Sequence, residues 1–279
     1  MQFKKLLFKA LYSPKDILPS LNRILHTKRI NTYKKKIHDA NIVWHTCTPK
    51  SASTFFMNYC KSTLINSSKD FAILQGVPTY ENRPQITCDY TLIKSLKNTA
   101  DVNFTNHQHV LATIDLLDKI TDNHVVICQT RSILDTIVSL IDHQDDKKKP
   151  RQEINSHAPM SHYYWGQLSY EEKLNNIIEN YLPWHLSYLQ GWIIASKNYN
   201  IKWLNYDEVI NDPKKYFNQV FSKFNISSTK ENGASQDKWN FNKGIKGRGK
   251  TLITELYQEE IIKKILKADH LKQNLISFL

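Results

Sequence analysis

Long apolar runs are missing from this sequence, and nothing in it approaches the ~18 consecutive apolar residues that a membrane-spanning helix needs. Residues 1–12 look superficially like a secretory leader. Their apolar stretch is short, however, Lys9 interrupts it, and no small-residue cleavage site follows, so neither leader nor anchor is expected. Cysteine is scarce, with four in 279 residues. Cys47, Cys60, Cys88 and Cys128 form no C-x-x-C pair, which argues against zinc, and a disulfide framework is out of place in a chain this long. They read as core thiols in a reducing, cytoplasmic compartment. Acidic residues are also short, 26 against 38 Lys and Arg, leaving a net charge of +12. Such an excess concerns partners rather than fold: a polyanionic ligand, an anionic acceptor, a membrane surface or nucleic acid would each suit it. Internal repeats and low-complexity segments are absent.

What is present is the composition of a folded globular protein, 41% hydrophobic and 23% charged. Strand and helix patterns alternate. Strands are predicted at Ile42–Cys47, Phe71–Leu74, 101–105, His124–Thr130 and Ile201–Asn205. Helices are predicted at 54–65, 90–96, 113–120, 133–143, 169–198 (with Pro183 as a kink or boundary), 213–224 and 251–267. This alternation predicts an α/β fold, a parallel central sheet flanked by helices, in a single domain over 1–279. Residues 1–40 form a basic N-terminal arm, suited either to packing on its own domain or to an anionic membrane surface. The stretch 144–167, with His157, His162, Tyr163, Tyr164 and Trp165, breaks the alternation and reads as a lid over an acceptor site, or as simple packing. Residues 227–238 are polar.

Three segments carry chemistry. The first strand runs into Thr48-Pro49-Lys50-Ser51-Ala52-Ser53-Thr54-Phe55 and a helix. Strand, small-residue loop and helix together make an anion cradle, because backbone N–H groups and the helix dipole point at the loop. Lys50 adds a full charge, and Ser53 and Thr54 add hydroxyls. An ordinary helix start after a buried strand is the alternative. The second segment is the buried strand that ends at Arg131, with Ser139 eight residues on and, on a helix, within ~80° of the same face. Such strand ends are where open α/β sheets bind ligands. A surface Arg131 paired with Asp135 would be the plainer outcome. The third is Phe241-Asn242-Lys243-Gly244-Ile245-Lys246-Gly247-Arg248-Gly249-Lys250, with three glycines and four cations in ten residues. Glycine permits close backbone approach and the cations suit phosphate; a flexible basic loop is the alternative.

Together, and in this order, these segments resemble the sulfotransferases that use 3′-phosphoadenosine 5′-phosphosulfate (PAPS), across about residues 42–250. Pro49 to Phe55 is similar to the family's P-K-S-G-T-T-W loop, which holds the 5′-phosphosulfate; Ala52 stands for its glycine and Phe55 for its tryptophan. The resemblance implies that Lys50, Ser51, Ala52, Ser53, Thr54 and Phe55 line the cofactor. It also implies that Arg131 and Ser139 hold the 3′-phosphate, that Lys243 and Gly244 open the late K-G-x-x-G-x-x-K loop, and that Tyr206, in Asn205-Tyr206-Asp207-Glu208-Val209, lies near the adenine. Asn242 replaces an arginine of the pattern, and Arg248 is a candidate substitute. The implied fold is nucleotide-kinase-like, the P-loop-like sulfotransferase fold.

The resemblance further implies a histidine general base at a strand end, with a lysine two residues before it. Here His109 takes the base position and His107 the lysine position. Neutral imidazole suits a base near pH 7, and Lys50 would stabilise charge on the leaving phosphate. His45, inside the first strand, reads as core. The implied reaction is transfer of a sulfuryl group from PAPS, as co-substrate, to an unidentified hydroxyl or amine acceptor (a small alcohol, lipid, peptide or glycan), with no metal. A P-loop small-molecule kinase is the rival, but the loop after the first strand, Thr48 to Phe55, does not read G-x-x-x-x-G-K-[ST]. A non-catalytic nucleic-acid-binding protein is the second rival. The basic residues are spread and no recognised motif accompanies them, so no nucleic-acid partner is expected.

Overall fold

The computed structural model describes residues 37–67, 69–74, 96–97, 99–145, 165–228, 247–267, 275 and 277–279. Five strands form one sheet: β1 (Ile42–Cys47), β2 (Phe71–Leu74), β3 (Val102–Thr105), β4 (His124–Thr130) and β5 (Ile201–Asn205). All four pairings are parallel. The spatial order is β2-β3-β1-β4-β5. Every residue of β1 and β4 is buried, as expected for central parallel strands covered on both faces.

Alternation along the strands divides the core in two. Ile42, Trp44, Val126 and Cys128 point to one face. There they meet α3 (Ile133–Asp145), α4 (Tyr170–Asn180), α5 (Leu182–Ala195) and α9 (Glu255–Lys267) through Ile137, Ile177, Trp192 and Ile261. Val43, Val125 and Ile127 point to the other. That face is covered by α1 (Ser53–Ile65) and α7 (Pro213–Phe221) through Phe56, Leu64, Phe217 and Phe221. Each such large apolar side chain, fully buried, contributes about 1.5–3 kcal/mol.

Several helical readings need adjustment. The single helix predicted over 169–198 is two, α4 and α5, separated at Tyr181, and Pro183 sits in the first turn of α5, where its missing N–H costs nothing. A capping box starts α4: Ser169 Oγ accepts from Glu172 N, and Ser169 N donates to the Glu172 carboxylate. The helix predicted over 251–267 is α8 (Arg248–Leu252) and α9, interrupted where Ile253 turns extended to bury its side chain. Helix α3 continues through Gln144 and Asp145, so the break in the pattern begins later than expected. The helix predicted over 113–120 is the shorter α2 (Ile114–Leu117), that over 213–224 is α7 followed by a 3-10 turn at Ser222–Phe224, and the short helix α6 (Tyr206–Asn211) completes the described elements. Most of the helix predicted at 90–96, the N-terminal arm to residue 36, and the polar stretch from residue 229 lie outside the described residues, as do lid residues 146–164 with His157 and His162. Trp165 is described and belongs to the core: its indole N–H donates to Asp145 Oδ1 at 2.9 Å.

Candidate active site

The strand order makes the site. Chain connections leave β1 toward β2 and β3 on one side, and β4 and β5 lie on the other, so β1 ends at a topological switch point, where open α/β sheets bind ligands. Four adjacent strands end at this edge. The segment after β3 carries His107 and His109, the loop after β1 carries Lys50, β4 runs into Arg131, and β5 runs into Tyr206.

The loop after β1 is a strained cradle. Lys50 and Ala52 both adopt left-handed backbone conformations, with φ of 62° and 64°. This conformation costs a residue with a Cβ about 1–2 kcal/mol, and it explains why glycine suits the position that Ala52 occupies. Ala52 is the N-cap of α1; no side chain caps the helix and no acid lies in its first turn. A helix start so arranged favours an anion. Two of the loop's hydroxyls hold its shape. Ser51 Oγ donates to the Thr48 carbonyl at 2.7 Å, and the Ser53 hydroxyl lies against the Cys47 thiol. Gln129 Nε2 donates to the Ser51 carbonyl at 2.7 Å, while Gln129 Oε1 accepts from His45 Nε2 at 2.9 Å. His45 is therefore a core residue with a task, since it fixes the amide that fixes the loop. Thr54 and Phe55 follow at the surface of the helix start, Phe55 packed partly against the core.

His109 is placed by a continuation of β3. Cys47 N donates to the Gln108 carbonyl and Gln108 N to the His45 carbonyl, at 2.9 and 3.0 Å, so residues 107–109 run alongside the end of β1. His109 Nδ1 then meets the Cys47 carbonyl at 2.9 Å. A carbonyl oxygen only accepts, so Nδ1 carries the proton and Nε2 the lone pair. Burial pushes the His109 pKa down to about 4; the bond to Cys47 opposes this, and the nearby Lys50 charge adds to the lowering. The ring is neutral at pH 7. His107 is half-buried with its ring edge-on to His45 and His109. Burial first, then the neighbouring histidines and Lys61, hold it well below the usual imidazole range.

Arg131 is not a surface residue. It is 7% exposed, its guanidinium lies 4.1 Å from the Tyr206 ring centroid, and NH1 donates to the Lys50 carbonyl at 3.5 Å. Tyr206 is thereby placed beside the arginine, its own pKa raised chiefly by burial. Asp135 approaches Arg131 at 3.9 Å. Its two oxygens, however, accept from Gly249 N at 2.7 Å and Gly247 N at 3.0 Å, so the carboxylate pins the late glycine loop onto α3. Gly247 has φ of 76°. A Cβ on Gly249 would lie 2.3 Å from the Leu134 carbonyl carbon, so only glycine permits this contact. Ser139 is buried on α3 at the same side as Asp135, about one turn on. Arg248 pairs with Asp142. Lys243 and Gly244 lie outside the described residues.

Sequence reasoning missed Gln129, Asp142 and His143. His143 Nδ1 lies 3.3 Å from Lys50 Nζ. The signal for it was available: Asp135, Ser139 and His143 recur every fourth residue in a helix otherwise rich in apolar residues. Among the described residues no group of His, Cys, Asp or Glu could hold a metal ion, and no helix is long and apolar enough to cross a membrane.

A buried strand ending in an anion cradle, with a neutral imidazole on one neighbouring strand and a buried arginine on the other, suits attack on an anionic group carried by a nucleotide. The mouse sulfotransferase SULT7A1, solved as a complex with PAP, shares the fold with a TM-score of 0.57 over 88% of this chain and 93% of that one, at 12% identity. A sulfotransferase from Alicyclobacillus acidocaldarius aligns over 82% of this chain and 92% of its own, with a TM-score of 0.42 and 10% identity. No curated protein sequence matches the chain. The family model for the sulfotransferase domain, however, matches residues 42–265, which include β1, its loop, Arg131 and the glycine loop. On that match the chain belongs to the sulfotransferase family.

Proposed function

We propose that this protein transfers the sulfuryl group of PAPS to a hydroxyl or amine acceptor, with His109 as general base and Lys50 as the cation beside the leaving phosphate. The observation that carries the reading is the hydrogen bond from His109 Nδ1 to the Cys47 carbonyl, because it leaves the lone pair of a neutral imidazole on Nε2 next to the phosphate-type loop. In the reaction the acceptor oxygen forms a bond to sulfur, and its proton passes to His109 Nε2. The bond between sulfur and the bridging phosphate oxygen breaks, and its electron pair stays on that oxygen. Lys50 and the N–H groups at the start of α1 face that growing charge, a stabilisation worth most where water is excluded. An anionic donor would also offset the Lys50 charge that now lowers the His109 pKa, making the base stronger when it is needed.

Ser51, Ala52, Ser53, Thr54 and Phe55 would frame the phosphosulfate through their backbone. Arg131, Ser139, Lys243 and Gly244 would surround the 3′-phosphate. The adenine would lie by Tyr206. Arg248, paired with Asp142, would act by holding the loop in place. No metal takes part in this scheme. A reducing compartment, the cytoplasm, suits Cys47, Cys60 and Cys128, which are buried free thiols.

The test is transfer of radiolabel from PAPS to a panel of alcohols, phenols, lipids, peptides and glycans. His109→Ala should abolish transfer and leave retention on PAP-agarose nearly intact, and His107→Ala should be milder. Wild-type protein that neither binds PAP nor labels any acceptor would refute the reading.

A further inference from the structure

Helix α3 buries almost its whole surface, yet Asp135, Ser139 and His143 stand on one stripe of it, each four residues apart and each under a tenth exposed. Residues with that spacing lie above one another on a helix. The stripe begins just after Arg131 and ends at His143, whose Nδ1 is 3.3 Å from Lys50 Nζ. One helix face therefore runs from the arginine after β4 to the lysine after β1. An ammonium only donates, so in this contact Nδ1 supplies the lone pair, the ring proton is on Nε2, and the imidazole is neutral.

The neighbouring carboxylates are engaged elsewhere. Asp135 accepts from Gly247 N and Gly249 N, and Asp142 pairs with Arg248. The His143 imidazole, which meets Lys50, is by contrast an acceptor without charge. The difference matters for a lysine that must meet an anion. A carboxylate would aim the ammonium but cancel its charge and compete with the ligand; an apolar residue would leave four rotatable bonds unfixed, a cost met on binding. A neutral imidazole aims the ammonium and leaves its charge whole.

We propose that His143 is the positioning residue for Lys50, holding its ammonium toward the phosphosulfate loop in readiness for the donor. The proposal rests on the reading of Lys50 as the lysine of that loop. It predicts an order that bulk or hydrophobicity would not give. Asn presents its carbonyl oxygen where His presents Nδ1, so His143→Asn retains kcat to within about threefold. Loss of one hydrogen bond to a charged group makes His143→Ala about tenfold slower. His143→Asp, which supplies an acceptor of the wrong charge, is slower still, and it weakens PAP binding in calorimetry more than His143→Ala does.

A second measurement does not depend on turnover, and of the variants at 143 it needs only His143→Asn to fold. In the free full-length protein, Lys50→Met should move the imidazole nitrogen resonances of His143, identified by their loss in His143→Asn. Equal kcat and PAP affinity across the three His143 variants, or His143 resonances unmoved by Lys50→Met, would overturn the proposal. The two failures separate cleanly. If Lys50→Met keeps full turnover, or the wild type does not use PAPS, the reading of the loop has failed. If Lys50→Met abolishes turnover while the His143 series is flat, only the role of His143 has.

Discussion

Lowering the pH from about 7 to about 5 should remove most of the stability of this protein, and the cause is a set of buried imidazoles. Burial pushes the pKa of His45, His109 and His124 down to about 4 and that of His185 to about 3. Each is held in place neutral. His45 bonds to Gln129, His109 to the Cys47 carbonyl, His124 to Trp44 Nε1 and the Ile37 carbonyl, and His185 to the Tyr181 hydroxyl. In the unfolded chain the same groups titrate near 6.5. Between about pH 6.5 and 4 the unfolded state binds protons that the folded state refuses, so stability falls as pH falls through that window. At about pH 5 each histidine withdraws about 2 kcal/mol, and the four together about 8 kcal/mol. That is comparable with the ~5–15 kcal/mol that holds a domain together. The steepest part should show about four protons taken up on unfolding, or about 5 kcal/mol per pH unit. Urea denaturation followed by circular dichroism at about pH 7, 6 and 5 measures this directly, and His185→Gln should remove about a fifth of the dependence, since His107, also held low by burial, adds to that of the four. A stability that changes by less than about 2 kcal/mol between pH 7 and 5 would refute the reasoning. Since His109 stays neutral through most of this range, the acid limb of the proposed sulfuryl transfer should track unfolding and not titration of the proposed base.

Two further outcomes are expected. Arg131→Ala should weaken PAP binding by about ten- to a hundredfold and barely affect AMP, since a hydrogen bond to a charged group is worth about 1.5–3 kcal/mol and AMP lacks the 3′-phosphate; calorimetry with both ligands decides, and equal weakening would assign Arg131 to the fold. Ala52→Gly should raise the urea midpoint, because the left-handed φ of 64° costs alanine about 1 kcal/mol that glycine avoids, partly offset by the greater freedom of glycine in the unfolded chain; a lower midpoint would mean that the alanine methyl contributes more than its strain removes.

The sequence by itself determined the elements and the kind of site. The limits of β1, β2, β4 and β5 coincide with those predicted, because a buried parallel strand is written as a short apolar run bounded by polar residues. The loop with Lys50, the Arg131–Ser139 spacing and the glycine loop were legible as motifs, because left-handed turns such as Ala52 and Gly247 and the close contact at Gly249 restrict residue type locally. Helix ends were read less well. Ile253 and Tyr181 interrupt their helices to reach the core, and that demand comes from neighbours distant in sequence.

Only the tertiary structure decided what the motif residues are bonded to. His109 acquires its tautomer from Cys47, 62 positions away, because the chain after β3 pairs with the end of β1. Lys50 meets His143 across 93 positions, and Gln129 reaches Ser51 across 78, because β4 lies beside β1 in the sheet. A strand pattern of period two, or a helix pattern of period 3.6, records which face of an element is buried but not which element covers it. The order of strands is a balance of packing over the whole domain, and the chemistry of the site follows from that order.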